Sequence, residues 1–234
     1  MSIDENIARV RARIAAAAAR VRRRPEDITL MAVSKTVEPE RIREAYAAGL
    51  RVFGENRVQE FEKKASALAD LEEAEWRLIG HLQSNKAKKA TELFSAVDSI
   101  DSLHLAEKLN QAAGQAGKTL HVLIEIKVGE EASKAGIPAG SPELDSLLNG
   151  MARLDRLQVS GLMTVPPFTE DPEGARMYFR LLRDVRDRIA ARRLPRIEMD
   201  VLSMGMSHDF EVAIEEGSTC VRVGMAIFGA RPTP

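Results

Sequence analysis

Residues 28–42 read ITLMAVSKTVEPERI, and their order decides the fold. From Ile28 to Val33 the run is apolar, the pattern of a strand covered on both faces. At Glu38-Pro39 a helical segment opens, with proline at a first-turn position where its missing N–H costs nothing. Strand followed at once by helix is the unit of a parallel α/β fold. Between the two stands Lys35, an amine brought to the mouth of a buried strand although amines are costly to desolvate. Such a lysine can also reach solvent with only its stem buried, and taken alone Lys35 carries that reading.

The unit repeats. Further apolar runs lie at 51–56, 76–82, 96–101, 121–128, 157–165, 201–206 and 220–228. Helix-start signals stand between them: Asn56 with Gln59 three residues on resembles a capping box, and Ser84, Ser102, Ser141 and Ser207 are candidate caps. Eight strands, the first seven each followed by helix or a helical turn, predict a single (β/α)8 TIM barrel over residues 1–234. An open doubly wound sheet is the runner-up, but no glycine-rich fingerprint follows the first strand. A helix over about 3–23, with Ile7, Val10, Ile14 and Val21 at heptad-like spacing, is expected to pack on the barrel. Barrel chemistry gathers at the C-terminal strand ends, which here carry Lys35, Glu55-Asn56, His81 to Asn85, Asp101, Met163-Thr164, Ser203 to Ser207 and Arg222 to Gly224. Polar groups at seven other strand ends weaken the bland reading of Lys35.

Composition narrows the class. Hydrophobic residues are 44% and charged residues 29%, with a net charge of −1, so no global field draws the chain to nucleic acid or membrane. Cys220 is the only cysteine, which excludes an internal disulfide. No apolar run reaches the roughly 18 residues of a membrane span, and the arginine-rich start is preceded by Asp4 and Glu5, unlike a transit peptide. The expectation is a cytoplasmic, monomeric protein.

Several motifs mislead. AAGQAGKT, residues 112–119, fits a loose phosphate-loop pattern, but it follows a helix and opens a strand, the reverse of the required order. The four histidines show no metal spacing. GMSHD lacks the second glycine of a nucleophile elbow, and Ser207 reads as a helix cap whose neighbouring amides can bind an anion. NKAKK, residues 85–89, reads as a solvated helix face.

The motifs AVSKT, FGENRVQE, IGHLQSNK, SIDS, GLMTVPP, LSMGMSHDFEVAIEEGST and VRVGMAIFGAR together closely resemble the pyridoxal phosphate homeostasis family (YggS/PROSC). That family is similar to the barrel domain of alanine racemase, and the match runs from about Ile28 to Arg231. The resemblance implies that Lys35 carries pyridoxal 5′-phosphate (PLP) as an internal aldimine. It implies that the loop with Ser203, Met204, Gly205 and Ser207 holds the phosphate together with Gly224, and that Arg222 faces the pyridine nitrogen. Asn56, His81 and Met204 match positions lining the cofactor pocket. Physical chemistry agrees: imine formation needs a free amine, and glycines at 205 and 224 let backbone approach an anion closely.

Three functions fit such a site. One is a carrier that holds PLP in homeostasis, buffering it or delivering it to PLP-dependent apo-enzymes. Another is a racemase of the alanine-racemase type, and the third is a Schiff-base aldolase using Asp101 or Glu125. Racemisation needs acid–base groups on both faces of the α-carbon. By resemblance the racemases supply a tyrosine with help from a C-terminal domain, which a chain ending at Pro234 is expected to lack. Tyr46 and Tyr178 fall in helical segments. A cation at the pyridine nitrogen, here Arg222, weakens the ring as an electron sink. The carrier is the expectation.

Overall fold

The computed structural model describes residues 2–129 and 135–229. Its strands are β1 (Thr29–Val33), β2 (Val52–Glu55), β3 (Glu75–Leu78), β4 (Ala96–Ile100) and β5 (Leu120–Lys127). After them come the short β6 (Ile137–Pro138), then β7 (Leu157–Met163), β8 (Ile197–Met206) and β9 (Cys220–Val223). β1 pairs in parallel with β2 and β9, and β4 pairs with β5, so the ring closes. β6 only extends the edge of β5. The described strands thus form the expected parallel barrel, and closure excludes the open sheet.

Around the ring run α1 (Ile3–Arg20), α2 (Pro39–Ala47), α3 (Val58–Ala65), α4 (Ala87–Leu93), α5 (Leu103–Gln115), α6 (Pro142–Met151) and α7 (Arg176–Ala191). Two short ones follow, α8 (Phe210–Glu215) and α9 (Met225–Phe228). Ser102 and Ser141 cap α5 and α6 as expected, and Pro39 opens α2. Gly117, at φ 67, lies between α5 and β5, so the AAGQAGKT segment has the helix-to-strand order that disqualifies it as a phosphate loop.

Other boundaries differ from expectation. Residues 225–228 coil into α9 instead of extending the last strand, burying Ile227 and Phe228, because a short apolar run suits either state. Asn56 is no cap: Arg57 holds that place on α3, and no side chain caps it. Ser84 opens a 3-10 turn after Gln83 without capping it. Ser207 yields the cap position of α8 to Asp209, whose carboxylate accepts from Met206 N at 2.6 Å. α1 stops at Arg20, and Val21 is left exposed because the chain turns at Arg22, φ 57.

Before that turn α1 buries Ile3, Ile7, Val10 and Ile14, each contributing roughly 1.5–3 kcal/mol. Asn6 Nδ2 donates to Ile227 O at 2.8 Å, Arg13 pairs with Glu211, and Arg23 donates to Ile214 O and Ser218 O. The first helix, with Arg23 just beyond it, therefore staples α8, α9 and the loop that leads from α8 to β9. At β2 and β3 an aromatic chain seats α3: Phe53 to Trp76 at 5.0 Å, Trp76 to Phe61 at 4.7 Å and Phe61 to Phe94 at 5.0 Å between ring centres.

The strands bury more than apolar side chains. Arg77 Nη2 of β3 lies 3.0 Å from Asp98 Oδ1 of β4, an ion pair buried within the fold. Burial raises the Asp98 pKa, and the positive charges of Arg77 and Arg222 oppose that rise.

Candidate functional site

Register puts Lys35 where three strands meet. Val33 pairs with Gly54 and Ala32 with Val223, so two residues later Lys35 emerges between the ends of β2 and β9. A cavity of about 160 Å³ has Lys35 and Gly224 in its wall, with Val33, Val37, Met225 and Phe228 adding apolar surface. Thr36, Glu38 and Arg41 complete the wall with polar and charged groups.

Beside it the ends of β8 and β9 run together, Met206 opposite Arg222. Gly205 has φ 95, and a Cβ there would lie 2.6 Å from Ala213 Cβ and 2.9 Å from Phe210 Cα, so only glycine lets this turn fold back on α8. Ser207 is half-buried in that turn. The N–H groups of Ser207, His208, Gly224 and Met225 donate to no protein acceptor among the described residues. Amides clustered at adjacent strand ends are what an anion requires.

Ser203 and Met204 lie deeper in β8 and do not line the cavity of Lys35 and Gly224. Met204 is packed in the hydrophobic core. Ser203 Oγ accepts from Arg222 Nη1 at 2.8 Å, and the same guanidinium donates to Ser203 O at 2.6 Å and Thr164 O at 2.7 Å. Arg222 is buried and fixed by these acceptors, and burial lowers its pKa.

Asn56 and His81 come together at the ends of β2 and β3. A Cβ on Gly80 would fall 2.2 Å from Asn56 O, so glycine lets the two segments touch. They share a cleft of about 770 Å³ with Arg57, Lys63 and Lys86. His81 Nδ1 lies 3.1 Å from Asp101 Oδ2.

Glu125 of β5 is 8% exposed. Burial pushes its carboxyl up to about 7, Arg222 pulls it down and Asp101 adds to the rise. A carboxyl raised on folding keeps its proton longer in the folded chain, so stability falls as pH rises from about 4.5 to 7 and is level above. The shift is worth about 3 kcal/mol at one site. Urea titrations between pH 4.5 and 8 are expected to show a steeper loss for the parent than for Glu125→Gln; parallel curves would contradict it.

Glu55 and Thr164 were foreseen as polar strand ends; Asp209, Glu60 and Lys64 were not foreseen as parts of this region. Asp209 had a signal, an aspartate beside the GMSH turn. Lys64, in a helical KK pair, had none. Among the described residues no group of His, Cys, Asp and Glu could hold a metal ion, and no helix is long and apolar enough to cross a membrane.

Comparison with known proteins agrees over the whole length. Residues 6–232 match the family described as alanine racemase, N-terminal domain. A pyridoxal phosphate homeostasis protein of Aquifex aeolicus strain VF5 is 46% identical over 99% of both chains. One from Escherichia coli strain K12 is 44% identical over 98% of this chain and 97% of its own. Among solved structures, PipY of Synechococcus elongatus PCC7942, solved with PLP bound, superposes with a TM-score of 0.85 at 37% identity, covering 97% of this chain and all of PipY. An alanine racemase from Corynebacterium glutamicum shares the fold, with a TM-score of 0.73 at 18% identity over 98% of this chain and 62% of the enzyme. The chain belongs to the pyridoxal phosphate homeostasis family, built on the alanine racemase N-terminal domain.

Proposed function

We propose that this protein binds PLP on Lys35 and holds it for intracellular homeostasis, buffering the cofactor or delivering it, without efficient turnover of a substrate. The observation that carries the reading is the cavity shared by Lys35 and Gly224 at the junction of β1 and β9. PLP brings an aldehyde that condenses with a primary amine with loss of water, and a dianionic phosphate.

In this reading Lys35 Nζ is the anchor, and amides at Ser207 and Gly224 receive the phosphate, with Gly205 shaping the turn. Arg222 presents a fixed cation toward the ring nitrogen. Ser203 acts through Arg222, Met204 through core packing, and Asn56 and His81 line the mouth. The cytoplasm as compartment, the monomeric state and PLP-dependent apo-enzymes as recipients belong to the same proposal.

Absence of turnover rests on the acid–base inventory. Tyr46 lies on α2 under the Arg51 guanidinium, 4.1 Å from its ring centre, and Tyr178 lies on α7. Neither is at a strand end. His81 and Glu125 are acid–base groups near the mouth, which makes proton exchange the decisive assay. In heavy water with L-alanine and PLP-loaded protein, deuterium incorporation is expected to stay at the level of a Lys35→Ala control. Exchange at about 1–1000 per second would establish the racemase reading instead. Without exchange, faster reactivation of an apo-enzyme by loaded protein than by free PLP at matched concentration supports delivery.

A further inference from the structure

The turn that presents Lys35 is held against its own backbone preference. Val37 N donates to Ser34 O at 3.1 Å, which makes residues 34–37 a four-residue turn with Lys35 and Thr36 at its centre. Thr36 has φ 60, a left-handed conformation that crowds a β-branched residue and that glycine or asparagine ordinarily takes. Thr36 Oγ1 donates to Lys35 O at 2.6 Å. The remaining restraint comes from β2 and α3.

Lys64 of α3 is buried, and its ammonium donates to Ser34 O at 2.8 Å and Val37 O at 3.4 Å, the carbonyls at the two ends of the turn. It also pairs with Glu55 Oε1 at 2.9 Å, so each of its three N–H donors has an acceptor. Glu55, fully buried at the end of β2, accepts from Ser34 Oγ. Glu60 of α3 accepts from Thr36 N. The aromatic chain beneath α3 gives this clamp a rigid seat.

We infer that Glu55, Glu60 and Lys64 are positioning residues that lock the 34–37 turn and so aim Lys35 Nζ at an aldehyde bound in the mouth. The inference rests on the PLP reading of Lys35. In the step they serve, nitrogen bonds to the aldehyde carbon and the carbonyl oxygen leaves as water. The clamp acts by keeping the amine within reach of that carbon.

The test compares PLP with pyridoxine 5′-phosphate, which carries an alcohol instead of the aldehyde and cannot be captured by an amine. E55Q/K64M removes both buried charges together and leaves no lone ion behind. Stopped-flow absorbance is expected to show capture of PLP slowed about tenfold or more, with pyridoxine 5′-phosphate affinity unchanged. Adding T36G, which suits the left-handed turn, is expected to recover part of the rate. Unchanged capture overturns the inference, as does an equal loss for both ligands, which would mean general damage to the site. If E55Q/K64M does not fold, E60A, on a partly exposed helix face, supports the same comparison, and unaltered capture there overturns it too. Failure of the PLP reading looks different: the parent protein itself would yield no borohydride-fixed adduct on Lys35.

Discussion

Lys35→Ala protein is expected to lose its PLP completely on desalting, whereas the parent emerges yellow and keeps a pyridoxyl group after borohydride reduction. The imine to the amine, though hydrolysable, slows release enough to outlast gel filtration, and its removal leaves a ligand held by non-covalent contacts alone. Stability should change by no more than about 0.5 kcal/mol, because Lys35 is half-buried at the rim and outside the hydrophobic core. Peptide mass spectrometry of the reduced parent locates the adduct. Modification found only on Lys127, at the end of β5, or on Lys134, which lies outside the described residues, would overturn the assignment.

Removal of the phosphate is expected to cost nearly as much. Pyridoxal should bind about a hundredfold more weakly than PLP, since two or more charge-assisted hydrogen bonds from backbone amides are lost at about 1.5–3 kcal/mol each. Fluorescence titration of both vitamers measures it, and equal affinities would refute the cradle at Ser207 and Gly224. Gly224→Leu gives the complementary result. Its Cβ would meet Val33 O at 3.3 Å, and the remainder of the side chain would enter the cavity it shares with Lys35. PLP binding should weaken while far-ultraviolet circular dichroism stays that of the parent.

The barrel was legible because its strands are buried on both faces and read as apolar runs between helical spacings. The same signal failed where a run was too short to show its period, at Gly224 to Phe228, and the last four residues coiled instead. Side-chain type located caps only where the backbone cooperated. Ser102 and Ser141 fulfil the expectation, but at Asn56 and Ser207 the helix begins later, and Arg57 and Asp209 take the cap position. Lys35, Gly205, Gly224 and Arg222 were legible as polar or glycine residues ending apolar strands. Ser203 and Met204 share that motif, yet strand alternation and burial turn their side chains to Arg222 and the core. Of the clamp only Glu55 was legible, as a polar strand end; nothing in FEKKA distinguishes buried Lys64 from exposed Lys63 until the rings beneath α3 fix its rotation.

The stapling of α1 onto α8 and α9 also constrains how the chain reaches its fold. Asn6 and Ile227 are 221 residues apart, Arg13 and Glu211 198, and Arg23 and Ser218 195. Contacts of such sequence separation close very large loops, and their entropy must be met before they return any stabilisation. The β1–β4 half is joined by short connections and can condense early, but the seam between β1 and β9 waits for the far end of the chain. Lys35 stands on the early side of that seam, and the amides at Ser207 and Gly224 on the late side. On the PLP reading, a nascent chain therefore carries its anchoring amine for a long interval before the amides proposed to hold the phosphate are in place.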